Sequence, residues 1–141
     1  MIPRFLKKEL LKRLTEQKHK IIVLYGPRQV GKTTLVRETL NELRLKVLEI
    51  DGGQKKYRST FSSQDLSILK SATSGYDLLF IDEAQKIPHI GENLKLLYDH
   101  EKHLRIIITG SSSLDLADTL SEPLTGRKWT YTLFPISYIE L

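Results

Sequence analysis

A chain of 141 residues has room for one globular domain, because a domain of this size buries roughly two thirds of the surface its unfolded chain exposes. With 40% hydrophobic and 28% charged residues it has the balance of an ordinary folded domain, its apolar runs fall far short of the roughly 20 residues a membrane-spanning helix needs, and the absence of cysteine excludes disulfides and thiolate metal sites. The net charge of +5 is local: residues 1–20 carry seven Lys or Arg against Glu9 and Glu16, while the remaining charges balance.

In chain order, Ile2, Phe5, Leu6, Leu10, Leu11 and Leu14 recur at helical spacing, with Arg4, Lys7, Lys8, Lys12 and Arg13 largely on the other side. The spacing predicts an amphipathic basic helix within residues 1–20, whose charge could meet DNA or a protein partner or simply face solvent. No uninterrupted apolar stretch of a secretory signal is present at the start, so a cytoplasmic location is expected. Ile21-Ile22-Val23-Leu24-Tyr25 is a continuous apolar run ending at Gly26-Pro27, the pattern of a buried strand in a parallel sheet.

A helix is expected from Lys32 to Leu43, a second strand at Lys46 to Ile50, and a helix from Ser63 to Ala72 with Leu66 and Leu69 inward. A third strand at Asp77 to Ile81 leads to a helix near Ile90 to His103, then a fourth strand at Arg105 to Thr109. Leu114 to Leu120 reads as another helix and Lys128 to Leu133 as a fifth strand. Strands alternating with helices predict an α/β domain with a parallel five-stranded sheet covered on both faces. The domain core is placed at 21–134, and 135–141 reads as the start of a following segment, so that the chain is expected to be part of a longer protein.

Gly26-Pro27-Arg28-Gln29-Val30-Gly31-Lys32-Thr33 fits G-x-x-x-x-G-K-[ST], with the required strand before it and helix after it. Glycines let successive backbone N–H groups turn onto a phosphate, and the following helix adds the positive end of its dipole. The loop through Thr34 is therefore expected to bind ATP, Lys32 supplying a cation for the β- and γ-phosphates and Thr33 a hard oxygen for Mg²⁺. Arg28 could reach a phosphate or pack outward as an ion-pair partner.

Leu78-Leu79-Phe80-Ile81-Asp82-Glu83 puts two carboxylates at the end of an apolar strand, the edge where parallel sheets bind ligands. Asp82 suits Mg²⁺ held through its water shell, and Glu83, pointing differently, suits orientation or deprotonation of an attacking water. Water activation favours hydrolysis over transfer of phosphate to a bound acceptor. His100-Glu101-Lys102-His103 spaces its histidines three apart rather than four, against a zinc protease helix.

With these motifs in place, the chain resembles AAA-like ATPases of the bacterial and archaeal group often fused to a C-terminal domain of unknown function. The resemblance rests on Leu24 to Thr34, Phe80-Ile81-Asp82-Glu83-Ala84-Gln85, Thr109-Gly110-Ser111-Ser112, Leu124-Thr125-Gly126-Arg127 and Phe134-Pro135-Ile136-Ser137, and spans nearly the whole chain. It implies a P-loop NTPase fold with strand order 5-1-4-3-2, ATP and Mg²⁺ as ligands, and a polar sensor of the γ-phosphate after the fourth strand. Ser111 is the first candidate for that sensor, with Thr109 and Ser112 as alternatives. Arg127 matches a family arginine that would stabilise the transferred phosphoryl group, in its own subunit or in a neighbour of a homo-oligomer. The chain departs from the wider AAA pattern in having no helical lid.

Two rivals remain at this level. One is a nucleotide-dependent switch that binds DNA or protein with little turnover. The other is a small-molecule kinase with Asp51 as base, for which the first strand would lie directly beside the third.

Overall fold

The computed structural model describes residues 4–27, 31–111, 120 and 122–133. Five strands, β1 (Ile21–Tyr25), β2 (Val47–Asp51), β3 (Leu78–Asp82), β4 (Arg105–Gly110) and β5 (Lys128–Thr132), form one sheet in the order β2-β3-β4-β1-β5. Every neighbouring pair is parallel. This is the expected P-loop NTPase order, and β4 separates β1 from β3.

Helices α1 (Arg4–Thr15) and α2 (Lys32–Asn41) cover one face; α3 (Lys55–Phe61), α4 (Leu66–Thr73) and α5 (Ile90–His100) cover the other. The alternation of side chains along β1 shows why its sequence is apolar throughout. Ile22 and Leu24 pack with Leu6, Leu10 and Leu14 of α1 and Leu35, Val36 and Leu40 of α2. Ile21, Val23 and Tyr25 face Leu69 of α4 and Leu94 and Leu97 of α5. A strand covered on both faces buries every residue, so an alternating pattern would be wrong for it.

Local chemistry sets several boundaries. Asp65 caps α4 by accepting from the backbone N–H groups of Ser67 (2.9 Å) and Ile68 (3.3 Å). Buried Asn93 in α5 accepts from the Gln64 N–H at 2.7 Å and donates to the His89 carbonyl at 2.7 Å, tying the start of α4 to the start of α5. Strands β2 and β3 each run one residue further than expected, because Asp51 and Asp82 pair within the ladder.

One expectation needs correction, and two short elements were not anticipated. Phe5 was expected on the buried stripe of α1 but is exposed; Leu6, Leu10 and Leu14 form that stripe, and one residue of helix turns Phe5 about 100° away from it. The polar stretch before Ser63 contains a further helix, α3, whose only buried residue is Phe61. A short 3-10 turn, Ala84–Lys86, follows β3. The expected helix over 114–120 lies outside the described residues except for Leu120, which is buried with Leu124 in the α5-side core.

Candidate functional site

Four strands deliver their carboxyl ends to one edge. Tyr25 is level with Gly110, Ile81 with Ile108, and Asp51 with Asp82, so the segments following β1, β4, β3 and β2 open onto a common mouth. There a cavity of about 390 Å³ is lined by Gly31 to Thr34 together with Asp51, Asp82, Glu83 and Lys86.

Gly31 stands at the entry to α2 with φ 84° and ψ 20°, a left-handed conformation that glycine adopts without a Cβ penalty. No side chain caps α2, which leaves the N–H groups of its first turn directed at the loop. Lys32 is buried, and its ammonium donates to the carbonyl oxygens of Gly26 at 2.6 Å and Pro27 at 3.0 Å, curling back over the loop it follows. Of the loop residues expected to bind ATP, Gly26, Pro27, Gly31, Lys32, Thr33 and Thr34 border this mouth or its entry. Arg28, Gln29 and Val30 lie outside the described residues, as do Ser112 and the segment 134–141.

Thr33 and Asp82, 49 residues apart in sequence, meet directly. The Thr33 hydroxyl donates to Asp82 Oδ2 at 3.0 Å, and the Thr109 hydroxyl donates to Asp82 Oδ1 at 2.5 Å. Among the described residues no cationic side chain forms an ion pair with Asp82. A hydroxyl and a carboxylate side by side are the hard oxygen donors that suit Mg²⁺, which takes one or two protein oxygens and completes its shell with water and phosphate.

Glu83, the next residue, has φ 56° and ψ 51°, the left-handed region that costs a residue with a side chain of order 1 kcal/mol. Three backbone features hold it there. Its N–H donates to the Thr109 hydroxyl at 3.1 Å, and its carbonyl accepts from Lys86 N–H at 3.2 Å. Gly52 lies against it so closely that a Cβ on Gly52 would be 2.2 Å from the Glu83 carbonyl oxygen. The turn points the two acids apart, Asp82 toward Thr33 and Thr109 and Glu83 toward Ser111 and Gln85. Glu83 Oε2 accepts from the Ser111 hydroxyl at 2.9 Å and from the Gln85 amide at 2.9 Å.

Two sequence-stated candidates fall elsewhere or change character. Arg127 precedes β5, and its carbonyl accepts from the N–H of Ile21 at the start of β1. It therefore lies at the amino edge of the sheet, a five-residue strand or roughly 16 Å from the phosphate loop of its own chain. There it grips Asp99 of α5 with two bonds, 2.9 and 3.3 Å. This corrects the expectation that Arg127 could act on phosphate in its own subunit. The basic helix is also less open than its composition implies: Lys7 pairs with Glu42 at 2.5 Å, while Arg13 pairs with Glu16 at 3.0 Å and stacks on Trp129.

Sequence reasoning missed Gly52 and gave no separate role to Gln85. It placed Thr109 only among the sensors, whereas the fully buried Thr109 hydroxyl bridges Asp82 and the Glu83 backbone. Asp51-Gly52-Gly53 was legible as a turn, and the parallel pairing of Asp51 with Asp82 is the signal that would have brought Gly52 against Glu83.

This arrangement has known counterparts. The AAA_14 family model, an AAA domain, matches residues 18–141. The chain belongs to this family of AAA domains. Curated relatives of this AAA domain include an uncharacterized protein of Mycobacterium tuberculosis, 35% identical over 76% of the chain and 23% of the relative. Another is the Holliday junction branch migration complex subunit RuvB of Mycoplasma genitalium, 34% identical over 74% of the chain and 32% of the relative. Among solved structures, a Thermotoga maritima RuvB variant superposes with a TM-score of 0.64 at 20% identity, covering 92% of the chain and 44% of that structure, a likeness of fold. The AAA domain thus spans a quarter to a third of these curated relatives. Among the described residues no helix is long and apolar enough to cross a membrane.

Proposed function

We propose that this AAA domain binds ATP with Mg²⁺ and hydrolyses it, with Lys32 on the phosphates, Thr33 and Asp82 holding the metal, and Glu83 orienting the attacking water. The observation that carries this reading is the 3.0 Å hydrogen bond between Thr33 and Asp82, which joins the phosphate loop to the acidic strand end and leaves Glu83 one residue away over the same mouth. Mg²⁺ would neutralise charge on the β- and γ-phosphate oxygens. Lys32 would leave the Gly26 and Pro27 carbonyls for phosphate oxygens, a charge-assisted contact stronger than either carbonyl bond. Ser111, within hydrogen-bond reach of Glu83, would sense the γ-phosphate.

Two substitutions split binding from chemistry. Lys32→Ala is expected to reduce affinity for a fluorescent ATP analogue at least 100-fold. Glu83→Gln should retain that affinity while phosphate release falls at least 100-fold. Unchanged phosphate release in Glu83→Gln would sink the role assigned to Glu83. The kinase alternative is disfavoured by the position of β4 between β1 and β3.

A DNA-linked function and assembly with further copies are proposed on the strength of the RuvB relatives, whose name is that of a branch migration complex subunit. Among the described side chains of α1, the basic residues left suited to a phosphate backbone are Lys8 and Lys12, both exposed. DNA binding should then weaken as salt rises and lose slope in Lys8→Ala/Lys12→Ala. A slope unchanged by that double substitution would remove α1 from the interface. A cytoplasmic location suits a nucleotide-dependent domain without cysteine.

A further inference from the structure

Gln85 occupies the centre of the 3-10 turn after β3, where the left-handed backbone of Glu83 folds the chain so that two side chains two residues apart lie together. Its amide nitrogen carries two hydrogens and uses both: one goes to Glu83 Oε2 at 2.9 Å, the other to the Ser111 hydroxyl oxygen at 3.2 Å. Ser111 gives its single proton to the same Glu83 oxygen at 2.9 Å. Three residues from two strand ends thus close a ring of three hydrogen bonds. The amide orientation follows from the chemistry, since a carboxylate oxygen only accepts and must face the nitrogen.

The other end of the amide behaves differently. Gln85 Oε1 is buried, and no group among the described residues donates to it. A buried acceptor left unsatisfied costs about 1–3 kcal/mol, which offsets much of what the two bonds from the amide nitrogen contribute, so an apolar side chain of the same shape should change stability little. Stability does not account for a glutamine here, and the two bonds made by its nitrogen do.

We infer that Gln85 is a positioning residue that joins the sensor Ser111 and the water-orienting Glu83 into one unit, an inference that rests on the ATPase reading above. A serine hydroxyl has one proton, to be given either to Glu83 or to a phosphate oxygen. When Ser111 turns to phosphate, Glu83 Oε2 loses the serine hydroxyl as a donor. Gln85 stays bonded to the carboxylate and to the serine oxygen, so the base keeps its aim and the serine its rotamer.

The test compares Gln85→Leu, Ser111→Ala and the double variant in steady-state ATP hydrolysis, with ATP-analogue affinity and melting temperature measured on each. Gln85→Leu should lower kcat roughly 10- to 100-fold, the effect of slight misplacement of a reacting group, with KM, analogue affinity and melting temperature essentially unchanged. The double variant should lose little more than the more damaging single one, because both act through Glu83. The inference is overturned by an unchanged or raised kcat in Gln85→Leu, by losses that multiply in the double variant, or by affinity and melting temperature falling in parallel with kcat. A parent protein that turns over no ATP overturns the ATPase reading and the inference together, whereas turnover in the parent with full kcat in Gln85→Leu overturns the inference alone.

Discussion

The two edges of the sheet use the same kinds of residue to opposite ends. At the amino edge polar groups are matched within the chain: Arg127 to Asp99, the Arg105 side chain to the Leu14 carbonyl, His19 Nε2 to the Lys102 carbonyl, and Tyr98 to the His19 carbonyl. Even Trp129, whose indole N–H meets no acceptor among the described residues, has the Arg13 guanidinium 3.8 Å and the Lys20 ammonium 4.7 Å from its ring centre. At the carboxyl edge, among the described residues, Asp82 is met by hydroxyls, a residue with a side chain takes a left-handed backbone, and the Gln85 oxygen is buried unbonded. Neutral donors fix a carboxylate in place without neutralising it, so its charge stays available to a cation. A cationic side chain paired to Asp82 would instead compete with a metal ion for that charge.

The strongest way to break that contrast is to disturb the carboxyl edge at a residue that has no functional group. Gly52→Ala puts a Cβ 2.2 Å from the Glu83 carbonyl oxygen, a backbone atom that cannot swing aside, so either β2 or the turn after β3 must move. A loss of about 1–3 kcal/mol in urea unfolding is expected from the overpacking, together with a fall in kcat of roughly 100-fold as Glu83 shifts. Affinity for an ATP analogue should hold, because the atoms nearest a Cβ on Gly52 belong to the Asp82 and Glu83 backbone and not to Gly31 or α2. Full turnover in Gly52→Ala would mean that the left-handed turn at Glu83 is incidental.

Most of the sheet was legible because a strand covered on both faces writes a continuous apolar run, and β1, β3 and β4 each have one. Edge strand β2, only partly buried, still showed through its apolar residues Val47, Leu48 and Ile50. What escaped was short or tertiary. Helix α3 buries a single residue and so has no stripe to read. The Thr33–Asp82 contact could be anticipated from the two motifs, but Gln85 and Gly52 matter through residues brought near by strand pairing and by a backbone turn that one sequence does not announce. Arg127 failed as a residue acting in its own chain for the same reason. Its motif resembles that of a phosphate-binding arginine, while the parallel pairing of β5 with β1 carries it to the far edge.

The smallest effect is expected at that far edge, and its pH dependence can be worked through. The hydrogen bond from Arg127, with the nearby positive charge, holds the Asp99 carboxyl below its ordinary value of 3.8. A carboxyl depressed on folding binds fewer protons folded than unfolded near that pH, so its contribution is fully present above the unfolded value and is lost as pH falls through the lower folded one. Both side chains remain about one third exposed, at 29% and 32%, so solvent and salt limit the pair to about 1 kcal/mol or less. Arg127→Ala should therefore lower stability slightly and by a constant amount from neutral pH down to about pH 5. The gap from the parent should then close as acid protonates Asp99. Nucleotide affinity should not change, because the phosphate loop stands at the other end of β1. If Arg127→Ala instead abolished hydrolysis in an oligomer while leaving binding and the stability gap as described, the amino edge would prove not to be matched only within one chain. Its arginine would then complete the carboxyl edge of the next.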